Sequence, residues 1–252
     1  MQHAIENLTK GLDRHPALDN AFYRAWMGGP LELDALALFA RNYGAVVRGF
    51  PDLLSALFAV TTDVEAKVEC LKTLYSEMGY GDPSKVHWVL LDHFFTELSA
   101  KLGAPGRLSW ARVEQELPLL PGTRRILSEE KELYGNPDPR VAVGAQLAQE
   151  WQAYTMTRQL YEGARSYVHF WSNRDSFHEA CEYFYAHIGA AEKEHKQESM
   201  RAVMKYAVDE TSVERIAHGF HRLMDLYAGF WDGLARAISS QPRRASDAGA
   251  AA

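Results

Sequence analysis

Residues 212–240 read SVERIAHGFHRLMDLYAGFWDGLARAISS. Ile216, Phe220, Leu223, Leu226, Tyr227, Phe230, Trp231 and Leu234 recur three or four positions apart, which draws one apolar stripe along a helix that must pack on something. Nine of the ten prolines lie between Pro16 and Pro139 and the tenth is Pro242, so residues 140–241 admit long uninterrupted helices. Three are expected there: Val141 to about Tyr167, Ser176 to about Ala207, and Ser212 to about Ser240. Asp175 and Thr211 stand as N-caps of the last two.

Working outward, Glu32 to Val60 is apolar at helical spacing, with Pro51 expected to kink or split it after Phe50. Asp63 then caps a helix to about Met78, Gly79 to Pro83 form a turn, and Ser84 caps a helix from Lys85 to Leu102. Asp138 and Pro139 open the long helix that follows. No period-two strand, internal repeat or phosphate-binding glycine motif is present. Residues 1–241 are therefore expected to form one all-α domain of seven or eight helices, and the small, polar stretch 242–252 a disordered tail.

Composition narrows the chemistry. At 252 residues, 47% hydrophobic and 24% charged, the chain is ordinary for a globular domain. No apolar run approaches the ~20 residues of a transmembrane helix. The start, Met1-Gln2-His3-Ala4-Ile5-Glu6, lacks the basic region and apolar core of a signal peptide, so a cytoplasmic protein with no membrane role is expected. A net charge of -6 without a basic stripe argues against nucleic acid. Two cysteines, Cys70 and Cys181, cannot build a thiolate metal site; with 33 Asp plus Glu and 10 His, any metal would have carboxylate and imidazole ligands.

Three places carry such groups. The first is His187, Glu192, Glu194 and His195. At ~100° per residue Glu194 returns to the His187 face, while His195 is displaced by roughly 80° and Glu192 by roughly 140°. A π-bulge next to Gly189 would bring His187, Glu192 and His195 onto one face; the plain alternative is a solvated, charge-laced helix. The second is Glu77 with His87, flanking the glycine turn. Glu77 falls in the last turn of its helix, where the macrodipole disfavours an anion and a nearby cation would relieve it; an exposed pair is the alternative. The third is Glu150, mid-helix among alanines and aromatics, where a buried carboxylate demands a partner and an exposed one does not. Taken together they describe a site between facing helices that suits iron or manganese.

At these residues the chain resembles the haem-oxygenase-like helical superfamily, which includes the TENA/THI-4 proteins, the pyrroloquinoline-quinone synthase PqqC and the diiron oxidases and oxygenases. The likeness covers nearly the whole chain. His15-Pro16-Ala17-Leu18, residues 21–26, Arg41-Asn42-Tyr43 and residues 49–56 look like the branch of the chlamydial protein associating with death domains. The resemblance implies a single haem-oxygenase-like bundle. Its ligand set falls on Glu77, His87, Glu150, His187 and His195, with Glu192 at the position of the family's Asp. Here four residues rather than three separate His187 from that carboxylate, so either a π-bulge restores convergence or Glu194 takes its place. The ten-residue step from Glu77 to His87 resembles the N-oxygenating branch, whose additional carboxylate would be Asp52.

The resemblance thus implies an O2-dependent non-haem enzyme with two irons, manganese being the alternative, held by Glu77, His87, Glu150, His187, Glu192 and His195. It would act on a small organic substrate, an amine, an amino-acid-like or a fatty-acid-like compound, with an external electron donor, and a homodimer is compatible with it. Tyr23 and Tyr43 are its candidate catalytic residues. Tyr23 matches a tyrosine that accompanies p-aminobenzoate formation in the chlamydial subfamily, although Leu160 or Tyr161 stands near the position of the accompanying lysine. Tyr43, Trp151, Tyr154, Phe184 and Trp231 are candidates for the pocket wall. The rival reading is a metal-independent PqqC/TENA-like enzyme or a small-molecule-binding protein. Thiamine hydrolysis is disfavoured because neither cysteine lies near Glu150.

Overall fold

Two long helices, α8 (Pro139–Ala164) and α12 (Glu210–Ser239), lie against each other along the middle of the protein. The computed structural model describes residues 1–240, apart from the side chains of residues 190–193; the expected tail at 242–252 lies outside the described residues. The stripe on α12 is buried from Ile216 through Phe220, Leu223, Leu226, Tyr227, Phe230 and Trp231 to Leu234. Its partner α8 is buried at every position from Val141 to Glu150, because α2, α7, α10 and α11 cover the faces that α12 leaves. The close crossing needs two glycines. A Cβ on Gly144 would overlap the Ile216 carbonyl oxygen, and one on Gly219 would overlap the Val141 carbonyl oxygen.

The remaining helices are α1 (Gln2–Leu8), α2 (Ala21–Met27), α3 (Leu33–Val60), α4 (Val64–Glu77), α5 (His87–Lys101), α6 (Trp110–Glu116), α7 (Pro121–Tyr134), α9 (Arg174–Ala180), α10 (Glu182–Ile188) and α11 (Ala190–Met204). The all-α class is as expected, but the described residues form twelve α-helices rather than seven or eight. Five of them, α1, α2, α6, α9 and α10, have seven residues each, too short to carry a readable apolar period. Two of these, α9 and α10, arise with α11 at 176–207, where the expected single helix breaks at Cys181 and Gly189.

Two further expectations are corrected. Pro51 sits inside one continuous α3 and does not split it; buried side chains before it (Phe39, Tyr43, Val46) and after it (Leu53, Leu54, Leu57) pin both halves to the core. That packing tolerates the one backbone hydrogen bond proline forfeits. Among the described residues α3 is also the one helix whose length and mean hydropathy, 1.2, would suffice to cross a membrane; here it packs against α4, α5, α6 and α7. The N-caps shift as well. Asp63 and Asp138 cap α4 and α8, but Asn173 rather than Asp175 caps α9, accepting from Ser176 N at 2.9 Å. Asp209 rather than Thr211 caps α12, accepting from Ser212 N at 2.7 Å. Ser84 does not cap the next helix: α5 starts at His87 with Val86 at its N-cap, and Asp82 caps the 3-10 turn Pro83–Lys85 before it.

Candidate metal centre

Glu77 is the last residue of α4 and His87 the first of α5, and a tight turn folds the two ends onto each other. Gly79 makes that turn. Its φ is +64°, and a Cβ there would sit 2.7 Å from the Val86 backbone nitrogen, so no other residue fits without moving the chain. Tyr80 follows with φ +55°, a second left-handed residue. Gly79→Ala is expected to cost about 1–3 kcal/mol through strain and this backbone contact, and to part Glu77 from His87. Thermal melting and bound-iron analysis should therefore both drop, and unchanged iron content would show that the turn does not set the site.

Both side chains are buried, and His87 Nδ1 lies 2.9 Å from Glu77 Oε2. The approach is out of line for an N–H···O bond: His87 Nδ1 has no hydrogen-bond partner among the described residues. The nitrogen is thus left without a hydrogen bond beside the carboxylate. His187, near the end of α10, completes the group. Its Nε2 is 3.7 Å from Glu77 Oε1 and its ring meets that of His87 edge-on at 4.5 Å. Its Nδ1 lies 2.9 Å from the Tyr183 carbonyl oxygen, which as acceptor leaves Nε2 as the lone-pair nitrogen. Ligand atoms of Glu77, His87 and His187 all fall within 4.8 Å of one another.

Glu150 and His195 form a second pair on the same cavity. Glu150, 3% exposed in mid-α8, accepts from Gln146 Nε2 at 2.6 Å, and its Oε2 lies 3.7 Å from His195 Nδ1. Burial works to raise the Glu77 pKa, but the neighbouring imidazoles of His87 and His187 outweigh it and hold the carboxyl well below its usual range. Burial pushes His195 down to about 4, with Glu77 opposing and the other two histidines reinforcing. A neutral imidazole beside ionised carboxylate is the state that binds a metal. The orphaned His87 nitrogen and this donor set fit a borderline cation such as iron.

The way His187 and His195 come together differs from the expected π-bulge. At Gly189 the backbone is extended, with φ -79° and ψ -164°, so α10 ends and α11 starts in a new direction. An exposed Lys85–Glu182 ion pair of 2.6 Å ties the start of α10 to the turn that carries Glu77 and His87. The side chain of Glu192 lies outside the described residues; Glu194, its alternative, is exposed. Asp52 is exposed too and takes no part in the cluster.

Glu77, His187, Glu150 and His195 line a cavity of about 30 Å³, room for roughly two water-sized occupants, together with Tyr43, Tyr183, Tyr227, Phe50 and Met156. The hydroxyls of Tyr43 and Tyr183 are 2.7 Å apart, and burial raises both pKa values. Tyr23 is not on the wall. It is buried behind Trp231, 4.8 Å between ring centroids, and its hydroxyl has no partner among the described residues. Of the other aromatics, Phe184 packs on Phe94, Trp231 on Tyr23 and Tyr43, and Trp151 and Tyr154 lie under Lys196 on the outer face of α8. Tyr183 and Tyr227 escaped the sequence reading because each sits in phase with its helix's apolar stripe. Both thiols are buried and free, with Cys70 pushed up to about 11 and Cys181 to about 12, consistent with inert core residues.

A family of iron-containing redox enzymes matches residues 37–228, and the chain belongs to it. It is thereby a haem-oxygenase-like protein. A curated relative, 4-aminobenzoate synthase of Chlamydia pneumoniae, is 33% identical over 82 residues, 32% of this chain and 36% of that protein, so the match spans about a third of the relative's length. In structure the chain is similar to a CADD-like protein of unknown function from Nostoc punctiforme, with TM-score 0.75 and 16% identity over 94% of this chain and 98% of that one. It is also similar to a TenA homolog from Pseudomonas syringae pv. tomato, with TM-score 0.69 and 10% identity over 93% and 92%. At these identities the structural likenesses concern the fold.

Proposed function

We propose that this iron-containing redox enzyme is a non-haem diiron oxidase or oxygenase that uses O2 on a small organic substrate. The observation that carries it is the presence of two ligand groups at one cavity, Glu77 and His187 with His87 beside them, and Glu150 with His195. Glu192 is the sixth ligand in this reading. Iron bound there supplies the activation of dioxygen; the chain's own residues do the rest. Burial keeps bulk water out, Gln146 holds Glu150 in its rotamer, and the Tyr183 carbonyl holds the His187 tautomer. The hydroxyl pair of Tyr43 and Tyr183 is placed to hold a proton beside the centre. Phe50 and Met156 offer the apolar contact an organic substrate needs, Met156 being the side chain most able to swing aside. An external donor supplies electrons where the substrate does not.

Protein from iron-supplemented cells, analysed for metal and then mixed as the ferrous form with O2, tests the reading. About two equivalents of iron and a transient visible absorption on mixing are expected. One equivalent without the transient would replace it by a mononuclear site, and absence of iron would sink it.

A further inference from the structure

The helix that ends at Glu77 has a second face. Inward, Ala66, Cys70, Thr73 and Glu77 of α4 are buried, and the helix packs on α3 and α11. Outward, Val64, Val68, Leu71, Tyr75 and, just past the helix end, Met78 are between 42% and 73% exposed. Single apolar residues on a surface are ordinary. Here, with Tyr80, six of the twelve large apolar side chains exposed among the described residues fall on this one stretch, which marks it as a contact surface. Steps of four, three, four and three residues repeat every seven, the period of a seam between two helices. Val68 and Tyr75 take one core position of the heptad, and Val64, Leu71 and Met78 the other. The stripe is about 21 Å long. Tyr80 packs edge-on against Tyr75, 5.6 Å between ring centroids, and carries the apolar surface past the end of the helix.

We propose that a second copy of this chain docks on this face, α4 against α4 in antiparallel orientation. The period calls for a helix as partner, and the charges beside the seam choose which helix and which way round. Glu65 and Lys72 flank the stripe on one side and Lys67 on the other. An antiparallel two-fold pair sets the first flank against its own copy, so Glu65 of each chain meets Lys72 of the other, and the contact is made twice. A parallel pair would instead set Lys67 against Lys72. The antiparallel register that makes the two Glu–Lys contacts also places Val68 opposite Leu71 and Val64 opposite Tyr75, so charge and apolar layers agree. Within one copy Glu65 pairs with Lys205 and Lys72 with Glu69, at the surface, where such pairs are weak and exchange readily. Two heptads are few for free helices, but α4 is already folded on its own protein, so the contact need not also form the helix. The surface is small, and a reversible dimer follows. None of this depends on the chemistry of the metal centre.

Sedimentation velocity of the full chain at rising concentration should show one-chain species passing into two-chain species. Leu71→Glu puts a charge in mid-seam at a half-exposed site. It should weaken the dimer at least about tenfold, with the circular dichroism spectrum and Tm of the parent retained. Glu65→Lys and Lys72→Glu should each weaken it several-fold. The double variant Glu65→Lys/Lys72→Glu, which restores the contact with its signs exchanged, should associate as the parent does. A dimer formed through another surface would not show that recovery. A chain that stays monomeric even at millimolar concentration overturns the proposal and leaves the stripe to a different protein partner. A dimer indifferent to Leu71→Glu, or a double variant no better than the single ones, overturns it too.

Discussion

Glu150→Ala is expected to lower bound iron from about two equivalents to about one and to reduce O2-dependent turnover by at least about 100-fold. Even an outer residue that merely orients a ligand costs 10–100-fold in metal affinity or activity when replaced. Glu150 would be a ligand itself, 3% exposed and shared with His195 at 3.7 Å. The trio of Glu77, His87 and His187 does not depend on it, so one iron should remain. His87→Ala is the mirror experiment and should spare the Glu150–His195 side. Loss of fold is the competing explanation. Truncating Glu150 strands Gln146 Nε2 without its acceptor, worth about 1–3 kcal/mol. It also removes a buried carboxylate whose desolvation opposes folding of the metal-free chain. The two effects oppose each other, so the metal-free variant should melt near the parent, and Glu150→Gln, which keeps the shape, nearer still. Two irons retained in a folded Glu150→Ala protein would remove Glu150 from the centre.

Much of this was legible because the chemistry sits on long elements. Glu77, His87, Glu150, His187 and His195 could be picked out by type and by place relative to turns and mid-helix; the structure sets Glu77, Glu150, His187 and His195 on one cavity and His87 against Glu77 and His187. The α12 stripe and the Asp63 and Asp138 caps follow from local rules that tertiary packing does not override. The join between α10 and α11 was another matter. A π-bulge and an extended glycine both rotate His195 toward His187, and periodicity cannot separate them; contacts made by α10 with α5 and α8 and by α11 with α4 and α8 select the break. Caps moved by two residues because neighbouring Asn, Asp, Ser and Thr compete for the same backbone donors.

Gly219→Ala should destabilise the protein by about 3 kcal/mol or more, a drop of roughly 6–12 °C in Tm. The sign is the informative part, since alanine for glycine inside a helix ordinarily gains up to about 1 kcal/mol. At Gly219 the new methyl would lie 2.9 Å from the Val141 carbonyl carbon and 3.1 Å from Ala145 N, besides overlapping the Val141 oxygen. These are backbone atoms in the stretch of α8 that is buried at every position, so no flexible side chain can yield and the two helices must separate. Gly229 on the same helix supplies the control: a Cβ there meets nothing within 4 Å, so Gly229→Ala should stabilise by about 0.5–1 kcal/mol. Equal shifts of the same sign would mean that α8 and α12 do not cross at Val141–Ala145. The crossing also reaches the centre. Gly144 makes the reciprocal contact with Ile216 less than two turns before Glu150 on the same helix, so parting α8 from α12 moves that carboxylate relative to Glu77. Gly144→Ala should therefore lose iron as well as stability, and its loss of iron should persist at temperatures where the variant is still fully folded.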